Sequence, residues 1–256
     1  MLARLFPTLL SGPPAYVPRT PWNPWAAAAA TILLFIVAMV AAYGATVITS
    51  ALGLSGSAGS GQAGPGRDYA YVVIWLLAAQ AAMIVLTIAA AGSVGGDWRE
   101  VLALRTPAGG PRIYGEALVL LLLLVALYNL ILLLFAREAL LGDLKVFIEL
   151  ARSPARLLAL PAIGIGAPVS EELLFRGFLL SALAASSLGY RHGAVVTTAA
   201  WTVLHAGYSV YGLIEVFLVG LYLAWILWRT GSLWVPLFCH AVYNSLLLAA
   251  LMVLPL

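Results

Sequence analysis

The sequence predicts an all-α, polytopic membrane protein of roughly seven or eight transmembrane helices, one of them broken. Three observations carry that prediction. Of 256 residues, 63% are hydrophobic and only 9% charged, against about 25% charged in soluble domains. The mean hydropathy is +1.03. The apolar residues form continuous runs rather than the alternating, roughly ten-residue pattern of a β-barrel.

Taken in order, residues 1–25 hold Pro7, Pro13, Pro14, Pro18, Pro21 and Pro24 and no continuous apolar stretch. They read as an extramembrane segment without a cleavable signal peptide, so the first span is expected to remain in the mature protein. A crossing helix needs ~20 apolar residues because the hydrocarbon layer is about 30 Å thick. Residues 26–48, 71–91, 114–136 and 233–254 meet that length. Residues 51–66 are rich in Gly, Ser and Ala and uncharged, which reads as a flexible loop. Residues 137–156 alternate apolar and charged side chains at helical spacing, as an interfacial helix would. Residues 155–188 would be about 50 Å long as one helix, so a break is expected at Pro161, Gly164, Gly166 and Pro168. Residues 193–208 and 211–228 are shorter spans, bounded by Arg191 and Arg229 and edged with Trp and Tyr. The whole reads as one integral membrane domain over 1–256, with N-terminal helices in 26–150 and a helical core carrying the chemistry in 151–256.

Charge excludes other classes. Thirteen Lys+Arg against ten Asp+Glu give a net charge of +3. Without a basic tract, no nucleic-acid partner is expected. Cys239, the one cysteine, cannot build a disulfide framework or a cysteine zinc site. With a cytoplasmic N-terminus and seven crossings, the inner connections hold Arg4, Arg19, Arg99, Arg105, Arg112, Arg191 and Arg229. The outer ones hold Arg67, Arg137, Lys145, Arg152 and Arg156, a weak asymmetry.

Charged groups inside apolar helices cost about 2.5–3.5 kcal/mol each on insertion scales and so mark function. They concentrate in the second half: Glu171, Glu172, Arg176, His205, Glu215, His240 and Asn244, whereas the first three long spans carry Gln80, Glu116 and Asn129. Glu172 and Arg176 stand four apart on one helical face, acid first, the better order for an ion pair. Glu171 is turned about 100° away and lacks that partner, which suits a general base. Ser170, after Pro168, is expected to cap the following helix. His240 and Asn244 share a face of the last helix. Glu171, His205 and the His240/Asn244 pair form a hydrolytic constellation if the three helices that carry them converge. Glu215, His192 and Cys239 read as structural, and Gly212, Gly220 and Ala224 as a small-residue face for close helix packing.

The order EExxxR, aromatic-xxx-His, HxxxN within apolar helices resembles the CPBP family of intramembrane proteases, also called the Abi or type II CAAX prenyl protease family. The resemblance spans residues 168–248. It implies a water-activating Glu171 acting with His205, an oxyanion site of His240 and Asn244, and a supporting Glu172–Arg176 pair. The second motif begins here with Trp201 where Phe is usual, a swap expected to affect packing rather than chemistry. The implied function is an intramembrane endopeptidase, of glutamate or metallo type, acting on a membrane-associated peptide or protein in a bacterial cell membrane. Either no cofactor is needed, or a divalent metal such as zinc is held by His205 and His240 with Glu171. The alternatives are a proton-coupled transporter, which predicts matching interrupted helices in both halves, and a non-catalytic membrane scaffold.

Overall fold

The long apolar runs do become helices, because in a membrane every backbone N–H and C=O must be satisfied within the chain. The computed structural model describes residues 5–52 and 69–253. Ten helices follow one another among the described residues. A short α1 (Pro7–Leu10) precedes α2 (Pro24–Ala51) and α3 (Tyr69–Ser93). Next come a short α4 (Trp98–Val101), α5 (Arg112–Phe135) and α6 (Arg137–Arg152). The second half comprises α7 (Arg156–Ala185), α8 (Gly189–Val203), α9 (Val210–Thr230) and α10 (Trp234–Val253). The loop expected over 51–66 lies almost wholly outside the described residues.

Among the described residues, six helices, α2, α3, α5, α7, α9 and α10, are long and apolar enough to cross a membrane. That is fewer than the seven or eight expected. The difference is α8, which at 15 residues spans about 22 Å at 1.5 Å per residue, short of the hydrocarbon thickness. Exposed Ile32, Leu33, Ile36 and Val40 on α2, and Leu123, Leu127, Leu130 and Leu134 on α5, give the bundle an outer surface suited to lipid. The chain is a multi-pass integral membrane protein.

Local chemistry sets the helix ends. The Asn23 side chain accepts from the Trp25 and Ala26 amides, and Pro24 occupies the first turn of α2, where its missing N–H costs nothing. Ser209 caps α9 by accepting from Gly212 N, and Gly231 closes it in the left-handed region at φ 67°.

The interruption of α7 takes a form the sequence did not specify. The chain never leaves helical geometry. Instead it loosens into π-helix over Leu160–Gly166 and again over Glu172–Leu179. Pro168 has no N–H to give the preceding turn, and the carbonyls there find donors on α10. Asn244 Nδ2 donates to Ile163 O at 3.1 Å and Ser245 Oγ to Gly164 O at 3.4 Å. Ser170 does not act as an N-cap; it sits within the helix and its hydroxyl donates to Ala167 O. Both π-helical stretches lie in α7, and among the described residues the first half has no counterpart, contrary to the transporter expectation.

Helices α7, α9 and α10 form the core. Phe178, Leu223, Ile226, Leu227, Leu233 and Val235 are fully buried in one cluster. A smaller cluster, with Val73, Leu150, Ala159, Leu248 and Leu251, ties α3, α6, α7 and α10 together at the other end. Helices α7 and α10 run antiparallel, as the 163–244 and 172–240 contacts show. Residues 5–22 strap one end: Arg229 donates to Leu9 O, Ser11 O and Gly12 O, and Glu116 accepts from the Thr8 and Leu9 amides.

Candidate active site

A cavity of about 580 Å³ lies between the two core clusters, and Glu171, His205, His240 and Asn244 all line it. Three separate helical regions supply them: Glu171 comes from the middle of α7, His205 from the turn after α8, and the other two from α10. The convergence that the motif spacing left open is therefore present. Much of the remaining wall is apolar, with Leu76, Phe147, Leu150, Leu247 and Leu251.

Glu171 is partly exposed to this cavity, and Trp201 Nε1 donates to its Oε2 at 2.7 Å. The Phe-to-Trp difference was expected to matter for packing alone. The structure adds a hydrogen bond to that packing role, since a Phe ring has no N–H to offer the carboxylate.

His205 Nδ1 stands 3.1 Å from Trp201 O. A carbonyl only accepts, so Nδ1 carries the proton and Nε2 is the nitrogen left for chemistry.

Glu172 and Arg176 are completely buried and paired at 3.1 Å, as their spacing predicted. The same oxygen, Oε1, also accepts from His240 Nδ1 at 3.0 Å, a partnership across helices that no motif spacing announces. Arg176 has two further anchors. Its Nη2 donates to Gly220 O at 3.4 Å, and its guanidinium carbon lies 4.2 Å from the centre of the Trp201 ring. Such a stacked, desolvated cation gains up to about 2 kcal/mol from the ring. These contacts require Gly220, where a Cβ would stand 2.7 Å from Thr198 Cγ2 and 2.9 Å from both Arg176 Nη2 and Trp201 Cε3.

Asn244 uses one amide hydrogen on Ile163 O. Its amide has two, and among the described residues the second has no hydrogen-bond partner.

Several further polar groups line the cavity. Glu215, expected to be structural, is on the cavity wall and accepts from Asn129 Nδ2 at 2.6 Å. Asp143 of α6 accepts from Ser209 N and Ser209 Oγ, both at 2.7 Å, and so ties α6 to the start of α9. Helix α6 turns Leu140, Leu144, Phe147 and Leu150 toward the cavity. Gln80, recognisable as a polar residue in an apolar span, packs its Oε1 against Gly166. Cys239 is buried, and His192 bonds Leu188 O on the exposed side of α8, both apart from the cavity lining.

His205 and His240 are the candidate metal ligands that the sequence offers. Catalytic zinc is held by three protein side chains. Among the described residues, no three His, Cys, Asp or Glu side chains gather into such a set. The nitrogens left over on the two imidazoles thus lack a third donor, and the metallo reading gains no support.

Comparison with curated proteins and with solved structures gives no match. A family model does match, over residues 153–246, which take in α7, α8, α9 and α10 as far as Leu246. That model is of the Rce1-like type II CAAX prenyl endopeptidases, so the segment that carries Glu171, His205, His240 and Asn244 is similar to the CAAX-type intramembrane proteases that the motifs resemble.

Proposed function

We propose that the chain is an intramembrane endopeptidase that hydrolyses a peptide bond of a membrane-associated peptide or protein by an activated water. The observation that carries this reading is the meeting of Glu171, His205, His240 and Asn244 on one cavity inside an apolar bundle. Peptide hydrolysis needs a base for water, donors for the oxyanion and a proton for the leaving amine.

Glu171 takes a proton from water, and the hydroxide adds to the carbonyl carbon. The resulting oxyanion is held by the free Asn244 N–H and by His240 Nε2–H. Because His240 Nδ1–H is already given to Glu172, Nε2 donates only when the ring is protonated. Glu172 is the adjacent counter-charge for that state. When the C–N bond breaks, the amine receives the proton held by Glu171, with His205 Nε2 as the relay. All of these groups line a largely apolar cavity, where each electrostatic contact counts for more than in bulk water. The family's name points to prenylated C-terminal peptides as one substrate class to try first.

The test is cleavage of a lipid-embedded fluorogenic peptide library, with prenylated members, by purified wild type, Glu171→Gln and His205→Ala. Loss of general base catalysis lowers rates by about 10²–10⁴-fold, and that loss is the expected result for Glu171→Gln. Cleavage at the wild-type rate by this variant would refute the mechanism. A chelator arm tests the metallo alternative independently. Silence of wild type on every peptide would favour the scaffold reading.

A further inference from the structure

Trp201 touches more of the cavity's polar groups than any one role requires. The residue is 3% exposed, so the indole N–H is out of reach of bulk water and must find an acceptor inside the protein. The acceptor is Glu171 Oε2 at 2.7 Å. The bond crosses from α8 to α7, between residues 30 positions apart. The backbone carbonyl of the same residue accepts from His205 Nδ1 at 3.1 Å. The ring also meets the His205 and His240 rings edge-on, at centroid distances of 5.0 and 5.6 Å, and carries the Arg176 guanidinium on its face.

We infer that Trp201 is a positioning residue for the water-activating carboxylate, an inference that rests on the proposed hydrolytic reading. The indole is a donor only, so it holds Oε2 and leaves Oε1 of Glu171 to meet water in the cavity. Its own carbonyl sets the tautomer of His205, which leaves Nε2 for proton transfer. One residue thus orients both the base and the proton relay, and Arg176 and Gly220 hold that residue in place from its other side. Trp201 acts through Glu171 rather than on the substrate.

The experiment removes the N–H while keeping the ring. Trp201→Phe, and a variant carrying benzothienylalanine at 201, in which sulfur replaces the N–H at nearly unchanged shape, are compared with wild type on a peptide that wild type cleaves. The second variant keeps the test open if the first folds poorly. A misdirected base costs rate rather than binding, so kcat is expected to fall by roughly 10- to 100-fold with KM within about twofold. In the Glu171→Gln background the same change should cost less than about twofold, because the group it positions has gone. A second readout needs no activity. In ¹⁵N-tryptophan-labelled protein, the indole signal that disappears in Trp201→Phe should move strongly in Glu171→Leu.

The inference is overturned if that signal stays in place, if kcat is unchanged, or if the loss is equally large in both backgrounds. Should Glu171→Gln cleave at the wild-type rate, the proposed mechanism fails and this inference falls with it. A silent Glu171→Gln beside a fully active Trp201→Phe defeats the inference alone.

Discussion

Replacing Glu172 by Gln tests the electrostatic centre of the bundle. The Glu172 and Arg176 side chains have no exposed surface, and Glu172 Oε1 serves both Arg176 at 3.1 Å and His240 at 3.0 Å. Glutamine keeps the shape and an acceptor oxygen but removes the charge. Arg176 is then left as a buried cation whose remaining supports are a 3.4 Å hydrogen bond to Gly220 O and the Trp201 ring. Breaking a buried pair from one side costs about 3–5 kcal/mol, because the other charge remains desolvated. For a chain of this size each kcal/mol moves the thermal midpoint by about 2–4 °C, so a fall of about 6 °C or more is expected at the low end of that range. The assay is thermal unfolding of purified protein in lipid nanodiscs, followed for Glu172→Gln, Arg176→Met and the Glu172→Leu/Arg176→Met double variant. Because removing both charges also removes the uncompensated ion, the double variant should regain at least half of the loss. A midpoint for Glu172→Gln within about 1 °C of wild type would refute the reasoning. So would a double variant no more stable than Glu172→Gln.

Two other consequences can be checked in the same preparation. Gly220→Ala places a methyl group 2.7 Å from Thr198 Cγ2 and 2.9 Å from Trp201 Cε3 and Arg176 Nη2, so overpacking should cost about 1–3 kcal/mol and reduce cleavage through the displaced Trp201, both read by thermal unfolding and peptide turnover. Burial pushes the Tyr16 phenol, in the N-terminal strap, from 10.0 up to about 12. The folded state therefore holds that proton more tightly than the unfolded one, and the stabilisation it supplies is complete below pH 10 and lost as pH rises toward about 12. Tyr16→Phe should flatten this alkaline loss in a pH series of unfolding midpoints; an unchanged slope would show that Tyr16 is not its source.

Much of the architecture follows from the solvent the chain must live in. The lengths of α2, α3, α5 and α10, the grouping of ionisable residues in the second half, and the sharing of one face by Glu172 with Arg176 and by His240 with Asn244 can all be read from composition and helical period. Those are local quantities, decided by the hydrocarbon thickness and by the adjacency of residues four apart on a helix. The membrane-crossing count was less legible, since α8 carries interfacial aromatics like a span yet is only 15 residues long. The π-helical form of α7 was also beyond the sequence, because its stability depends on donors that Asn244 and Ser245 bring from another helix.

The tertiary structure alone decided which polar atoms meet. Trp201 reaches Glu171 across 30 residues and His240 reaches Glu172 across 68, and no periodicity relates positions so far apart. Their contact depends on how closely the helices approach, at Gly220 against Trp201 and Arg176, and at Gly164 and Gly166 against Ser245 and Gln80. A sequence names the small residues that permit such approach. Which neighbour fills the space, and which hydrogen bond results, is settled only when every helix is packed at once, because each buried polar group must then find its partner or bear the cost of having none.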